Sequence, residues 1–542
     1  MAHVCRLLVL AGAALAGAAG CGSPKGGPTD APTATLYGAG ACAFNAHVAT
    51  MRPARNCDPN KPQTRYPIPT DPWAESMLPW GCVYNVLDFP ARTPDASFYL
   101  AQAAAVAGGG GVVYFPAGVY AFSGHLLLNS SIAVRGAPTT ARAKAGKLPG
   151  PLAPATKFTF PDRMHFGILN LDPAAKALAV VNVAITGGSI MLWPGLTPAP
   201  ASAQALPWPA ALKSYWYGAT GVAGAGSEKL VLSNTVRSVA FGATDPANAA
   251  TSNPWAYRFS HAIAVYADAN SLVGNNLLPF SPAGPKVTIH LKGDKNASES
   301  QPFPYDLRYG VDNKLLYGAV AGAAVGAGGA CGGKGWGTLD PTCAPYMFPR
   351  NASVVGNWVA NCGRVAYNLA SGCSGAAPAL GEGLQVVDNH SEHCDGTTCW
   401  TVDGVNLARG SDTNENRNID ITGYCASLIN NTAHVFRQNV PFTKYQTVDG
   451  ECILAQTEGN SFALAHQWTG NDCTHGAGAS ALATGPIFFY KMVNVQGSVI
   501  TGNANDAGQE MGAVFDATHD GWKDNVCKDN SQPCKCGSAP CP

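Results

Sequence analysis

Eleven of the chain's 34 carboxylates, Glu382, Asp388, Glu392, Asp395, Asp403, Asp412, Glu415, Asp420, Asp449, Glu451 and Glu458, fall within 77 consecutive residues, together with His390, His393 and His434. Carboxylates and imidazoles that converge on one spot can pass protons to and from a substrate. Within this stretch Thr401-Val-Asp403-Gly404 recurs as Thr447-Val-Asp449-Gly450, 46 positions later. Two turns of a coil of about 23 residues each would bring both aspartates to one strand position, about 10 Å apart at ~4.8 Å per rung. Glu451 follows Asp449 by two residues, so on a strand it shares that face at about 6 to 7 Å. Carboxyls at such separations suit glycoside hydrolysis, one protonating the leaving oxygen while another activates water or attacks the sugar. Asp403, Asp449 and Glu451 are therefore the candidate catalytic residues. A plainer origin for the repeat is that Asp-Gly pairs mark turns.

Around these acids stand residues suited to holding a sugar chain. Trp216, Tyr217, Trp400 and Trp468 offer rings for stacking, and Arg437 and Lys444 offer positive charge. Asp412, Asn414 and Asn416 begin an alternating run of oxygen-bearing side chains that continues to Asp420, and they are the candidate metal ligands. The run lacks the glycine and glutamate of a helix-loop-helix calcium motif, having Arg417 and Gly423 in those places. Calcium is thus an optional cofactor, and no cofactor is required. With the ion, a uronate could be cleaved by lysis, using Arg417, Arg437 or Lys444 as base. His390 and His393 flank Glu392 just before Cys394 and Cys399, which reads as a small disulfide loop with exposed histidines.

The elements that would position these groups are short. Residues 98–107 are rich in strong helix formers, Asp95 lies upstream where an acid suits a helix N-terminus, and four glycines from Gly108 stop the helix. Beyond residue 150 come apolar runs too short for globular helices, including Val180 to Ile185, Leu230 to Leu232, Val287 to Leu291, Ile419 to Ile421 and Ile487 to Tyr490. Several end in asparagine: Asn234, Asn275, Asn357, Asn389, Asn431 and Asn503. The steps of 41, 82 and 42 residues among them are near multiples of about 21, a solenoid-turn length, and the 32-residue step from Asn357 to Asn389 breaks the series. Asparagine tolerates the left-handed backbone of a corner, and stacked asparagines can bond one another between rungs.

Asn85-Val-Leu-Asp88-Phe-Pro90-Ala-Arg92, the helix, and then Gly108-Gly-Gly-Gly-Val-Val-Tyr-Phe115-Pro116-Ala-Gly118-Val-Tyr120 together resemble the entry of the pectin-lyase-like right-handed parallel β-helix proteins. The likeness covers about forty residues. It departs from the family pattern at Thr93-Pro94-Asp95-Ala96. It implies an all-β fold: a right-handed single-stranded parallel β-helix with an N-terminal capping helix and disulfide-bonded terminal covers. Relatives of this fold bind polysaccharide along one outer sheet. The catalytic signatures of polygalacturonases and pectate lyases are not apparent, so no catalytic residue is carried over from them.

Hydrophobic residues make up 46% of the chain and charged ones only 13%, with 34 basic residues balancing 34 acidic ones. This excludes a disordered chain and a nucleic-acid partner, which needs a basic face. Residues 1–20 have the layout of a secretory signal peptide, and Cys21 offers a lipid-anchor alternative, the one route to a membrane. A flexible linker over 21–36, an N-terminal cover over 37–84, the coil over 85–525 and a cysteine-rich tail over 526–542 complete the organisation. Sixteen cysteines beyond Cys21 in an exported chain favour disulfides. Sequons at Asn129, Asn296, Asn351, Asn389 and Asn430 are glycan acceptors if the host glycosylates. The expectation is a secreted protein that binds polysaccharide and acts as a glycoside hydrolase or polysaccharide lyase. The alternative is a non-catalytic polysaccharide-binding or cell-surface adhesion protein, and oligomeric state is left open.

Overall fold

The computed structural model describes residues 54–61, 65–66 and 77–137 and, from there to 540, mainly the strands and corners of successive turns. Residues 1–53, 294–352 and 435–448 are among those outside the described set. Three long sheets of fourteen, ten and twelve strands run along the molecule, and each turn of chain contributes to them in rotation. Successive strands of one sheet pair in parallel: Ala177–Val181 with Glu228–Leu232, then Leu272–Gly274, then Ser353–Val355. The fold is the right-handed single-stranded parallel β-helix. Among the described residues antiparallel pairing is confined to hairpins at the two ends and on the flanks. Among the described residues no helix is long and apolar enough to cross a membrane.

The entry is closed by one helix, Pro94–Ala107, which starts four residues earlier than its apolar run suggests. Thr93 caps it by accepting from Ala96 N, and Pro94 occupies the first helical position, where no donor is missed. Asp95 reaches across to a neighbouring corner, where its carboxylate accepts from the backbone of Ser123 and Gly124 at 3.0 Å. Phe98, Ala101 and Ala105 face inward and seal the first rung. Gly111 has φ +143°, and a Cβ there would stand 2.8 Å from Cys82 O, so the strand beginning at this residue needs glycine. Cys57 is joined to Cys82, tying the cover to the first rung. Cys425, Cys473 and Cys527 are also disulfide-bonded.

Inside the coil each turn stacks like on like. Phe115, Phe122, Phe158 and Phe160 form an aromatic stack near the entry. Further along, Val231, Val273, Val354, Val386, Leu428, Trp468 and Ile500 follow one another in the interior, each nearly or fully buried. Each such side chain contributes about 1.5 to 3 kcal/mol or more by leaving water.

Three residues after each of these apolar positions stands an asparagine of a continuous ladder, Asn234, Asn276, Asn357, Asn389, Asn431, Asn471 and Asn503, which Asn530, three after Cys527, extends by one rung. The Oδ1 of Asn431, for example, accepts from both N and Nδ2 of Asn389 at 3.1 and 3.0 Å. Its own Nδ2 donates to Val386 O and to Asn471 Oδ1 at 2.8 and 2.9 Å. Every amide is thereby satisfied in a dry interior, where an unpartnered one would be costly.

The ladder corrects the sequence-based spacing. Asn276 occupies the rung, while Asn275 takes the left-handed corner before it at φ 51°. One turn separates each pair of neighbours whether the step is 81, 32 or 27 residues. The 32-residue step is therefore an ordinary rung, and the 81-residue step is one turn with a long insertion, not four turns. No fixed period near 21 exists, because loop length between sheets leaves strand pairing untouched.

Candidate functional site on the twelve-stranded sheet

The twelve-stranded sheet has the longest strands: Val365–Ser371, Glu415–Gly423 and Asp449–Gln456 have seven, nine and eight residues. Alternate residues along them, Tyr367 and Leu369, Ile419 and Ile421, and Ile453, are buried in the interior. Tyr367 OH is held between His390 O at 2.8 Å and Asn357 O at 3.2 Å, and burial drives its pKa well up. It is a structural phenol that ties this sheet to the adjacent corner.

The N-terminal ends of the two longest strands hold charged residues. The backbone register sets Glu415 opposite Asp449 and Arg417 opposite Glu451. Parallel neighbours stand about 4.8 Å apart, and Glu451 lies about 6 to 7 Å along the strand from Asp449. Asp449 and Glu451 thus share a strand as expected, and the register sets beside them Glu415, a member of the carboxylate cluster, and Arg417, a candidate base. A charge repeating at alternate positions just before Ile419 and Ile453, on two runs of similar pattern, was the available signal.

The other expected members are placed differently. Asp403 lies outside the described residues, yet its flanks Thr401–Val402 and Val405–Asn406 pair antiparallel in a hairpin apart from the three long sheets. The repeated tetrapeptide therefore does not occupy one strand position twice, and Glu415 is the register partner of Asp449. Six of the eleven clustered carboxylates lie among the described residues, and they are likewise distributed. Asp388 sits at a corner, Glu392 is opposite His434 on the ten-stranded sheet, and Glu415, Asp420, Asp449 and Glu451 belong to the twelve-stranded one. Winding round a three-sided coil separates neighbours in sequence onto different faces.

Trp468 is fully buried within the coil, stacked in register between Leu428 and Ile500, so it cannot receive a sugar. Trp216 lies in a small flanking hairpin with Thr197 opposite. Tyr217, Trp400, Arg437 and Lys444 are outside the described residues, as are Asp412 and Asn414. Asn416 lies in a strand, opposite Gly450, and not in a loop. Among the described residues no group of three His, Cys, Asp or Glu side chains could hold a metal ion.

His390 is buried, with its ring stacked on Trp358 at 5.6 Å between centroids, in place of an exposed loop histidine. The sequon asparagine Asn389 is a ladder residue whose Nδ2 donates to Val354 O and Asn431 Oδ1, so that nitrogen is not an accessible glycan acceptor. Asn430 is half-buried and its side chain is bonded to Asp388, whereas Asn129 is exposed. Asn296 and Asn351 lie outside the described residues.

No family model and no curated protein matches the chain. Solved structures of similar shape include the A-module of the mannuronan C-5 epimerase AlgE4 from Azotobacter vinelandii, 13% identical over 83% of this chain and 97% of that one, with a TM-score of 0.36. The surface adhesin PfbA of Streptococcus pneumoniae is 10% identical, covering 83% and 91%, with a TM-score of 0.37. A family 28 exopolygalacturonase of Yersinia enterocolitica is 12% identical, covering 82% and 78%, with a TM-score of 0.31. At these scores the fold assignment stands on the chain's own sheet topology.

Proposed function

We propose that the chain is an exported protein that binds extracellular polysaccharide along its twelve-stranded sheet and cleaves it there by acid–base chemistry. The observation that carries this reading is the register that sets Glu415 beside Asp449 and Arg417 beside Glu451. Carboxyls on neighbouring rungs, or two residues apart on one strand, fall within the roughly 5 to 9.5 Å used by glycosidases. In this reading one of Glu415 and Asp449 is the acid that protonates the departing glycosidic oxygen. The other carboxylate attacks the sugar or activates water. In this reading the two carboxylates share one proton, and Arg417 stands opposite Glu451 in the register. Export is supported by the leader-like residues 1–20 and by the Cys57–Cys82 disulfide. A lipid anchor at Cys21 and an assisting calcium ion remain parts of the proposal that separate experiments address.

The pairing of Arg417 with Glu451 also favours a second reading. Opposite charges one rung apart stabilise a sheet face by themselves, and such a face can hold an acidic or neutral glycan without cutting it. Incubation of the purified protein with a panel of neutral and uronate polysaccharides separates the readings. New reducing ends without ultraviolet absorbance mean hydrolysis, and both together mean lysis. Retention on immobilised polysaccharide with neither signal means a binding protein, and the absence of all three overturns the proposal.

A further inference from the structure

We propose that the Asp388 corner is a pH-sensitive joint of the coil, in which the neutral carboxyl completes the corner and its ionisation loosens the turn that carries Gln385–Val387 and His390–His393. The inference is independent of the carbohydrate reading. The residue before each ladder asparagine adopts a left-handed backbone: Ser233, Asn275, Gly356, Asp388, Asn430, Gly470, Gly502 and Asp529, with φ between 51° and 66°. At six of these eight positions the residue is serine, asparagine or glycine, which cannot ionise. Of the two aspartates, Asp529 lies on the last rung, whereas Asp388 is only 7% exposed in the middle of the coil.

One contact supports its carboxyl, a hydrogen bond with the side chain of Asn430 on the next rung. The other oxygen, Oδ2, is buried with no hydrogen-bond partner. The flanking corner residues, Gly356 before it and Asn430 after it, bear no charge. The next titratable side chain along the chain is His390, at the start of the following strand, whose ring is engaged with Trp358, and Asp472 stands two rungs beyond His390 on the same row. Desolvation pushes the carboxyl's pKa up from 3.8 to about 7 against the smaller lowering by Asn430. Since the folded-state value is raised, the stabilisation is complete below about pH 4 and is lost as pH rises to about 7.

Chemical unfolding of the full chain from pH 4 to 8, for the wild type, Asp388→Asn and Asp388→Gly, tests the joint. Asparagine and glycine are the residues found at neighbouring corners, so both variants are compatible with the backbone. Relative to either variant, the wild-type unfolding constant should rise about tenfold per pH unit between about pH 4 and 7 and level off above. Hydrogen exchange of the peptide spanning 384–393, corrected for intrinsic rate, should show faster opening above pH 7 in the wild type alone. Parallel pH profiles for the wild type and whichever variant folds, or opening of that peptide independent of pH, would overturn the proposal.

Discussion

Asn431 shows how much one side chain can support. It accepts two bonds from Asn389 and donates to Val386 O and Asn471 Oδ1. Asn431→Ala would remove the acceptor of Asn389 N, one of the two acceptors of Asn389 Nδ2, and the side-chain donor to Val386 O, while Asn471 Oδ1 would keep only the backbone N of residue 431. Each such group costs about 1 to 3 kcal/mol, so the loss should reach roughly 3 to 5 kcal/mol, measured by denaturant unfolding. An effect below about 1 kcal/mol would mean that the ladder is not continuous through this rung. Bonding between stacked asparagines was legible from the repeated apolar-apolar-x-Asn pattern, but its register was not. Asn275 and Asn276 are adjacent, and only the bond from the ladder side chain to the preceding rung, Asn276 Nδ2 to Val231 O, decides between them. The ladder's three-residue offset identifies Trp468 as an interior residue, since it stands three before Asn471 where Val354 stands before Asn357. Read as a large aromatic in isolation, it suggests sugar stacking. Read against the ladder, it is core.

At the scale of elements, the corners determine which strands can face each other. Gly356 has φ +63°, and a Cβ there would meet Asn275 Oδ1. Gly356→Ala should destabilise the fold by about 1 to 2 kcal/mol, because alanine pays the left-handed steric cost without compensation. Gly356→Asn should cost less, since asparagine already occupies this conformation at positions 275 and 430. Equal unfolding midpoints for glycine and alanine at this site would contradict the corner geometry. The capping helix and its Gly-rich stop were legible because composition and punctuation agree there. Its true start was obscured by Pro94, which can equally close a loop or open a helix. The pairing of the carboxylates proposed to act on a glycan was less accessible. Turn length in this coil varies with the loops, so equal spacing along the chain, as between Asp403 and Asp449, does not predict equal position on a sheet. Pairing of Glu415 with Asp449 follows only from hydrogen-bond register.

For the whole molecule, a coil of this kind extends without a second core, which is why a 542-residue chain does not need several globular domains. Its ends need closing, and the entry is closed by the helix and by Cys57–Cys82. Replacing both cysteines by serine should lower stability by about 3 kcal/mol through the freed loop, with loss concentrated in the first rungs. Hydrogen exchange that rises near residues 82–115 and stays unchanged beyond residue 350 would match this account. Uniform loosening would instead indicate one cooperative unit.

The account's central claim is that the coil brings Glu415 and Asp449 together to act on a glycan. The most direct measurement is kcat/KM of Glu415→Gln, Asp449→Asn and Asp403→Asn on the polysaccharide that the wild type cleaves. Each of the first two should fall by at least about 100-fold while Asp403→Asn stays within about threefold, as expected when a general acid or its partner is lost. Full activity in Glu415→Gln, or a collapse confined to Asp403→Asn, would contradict it.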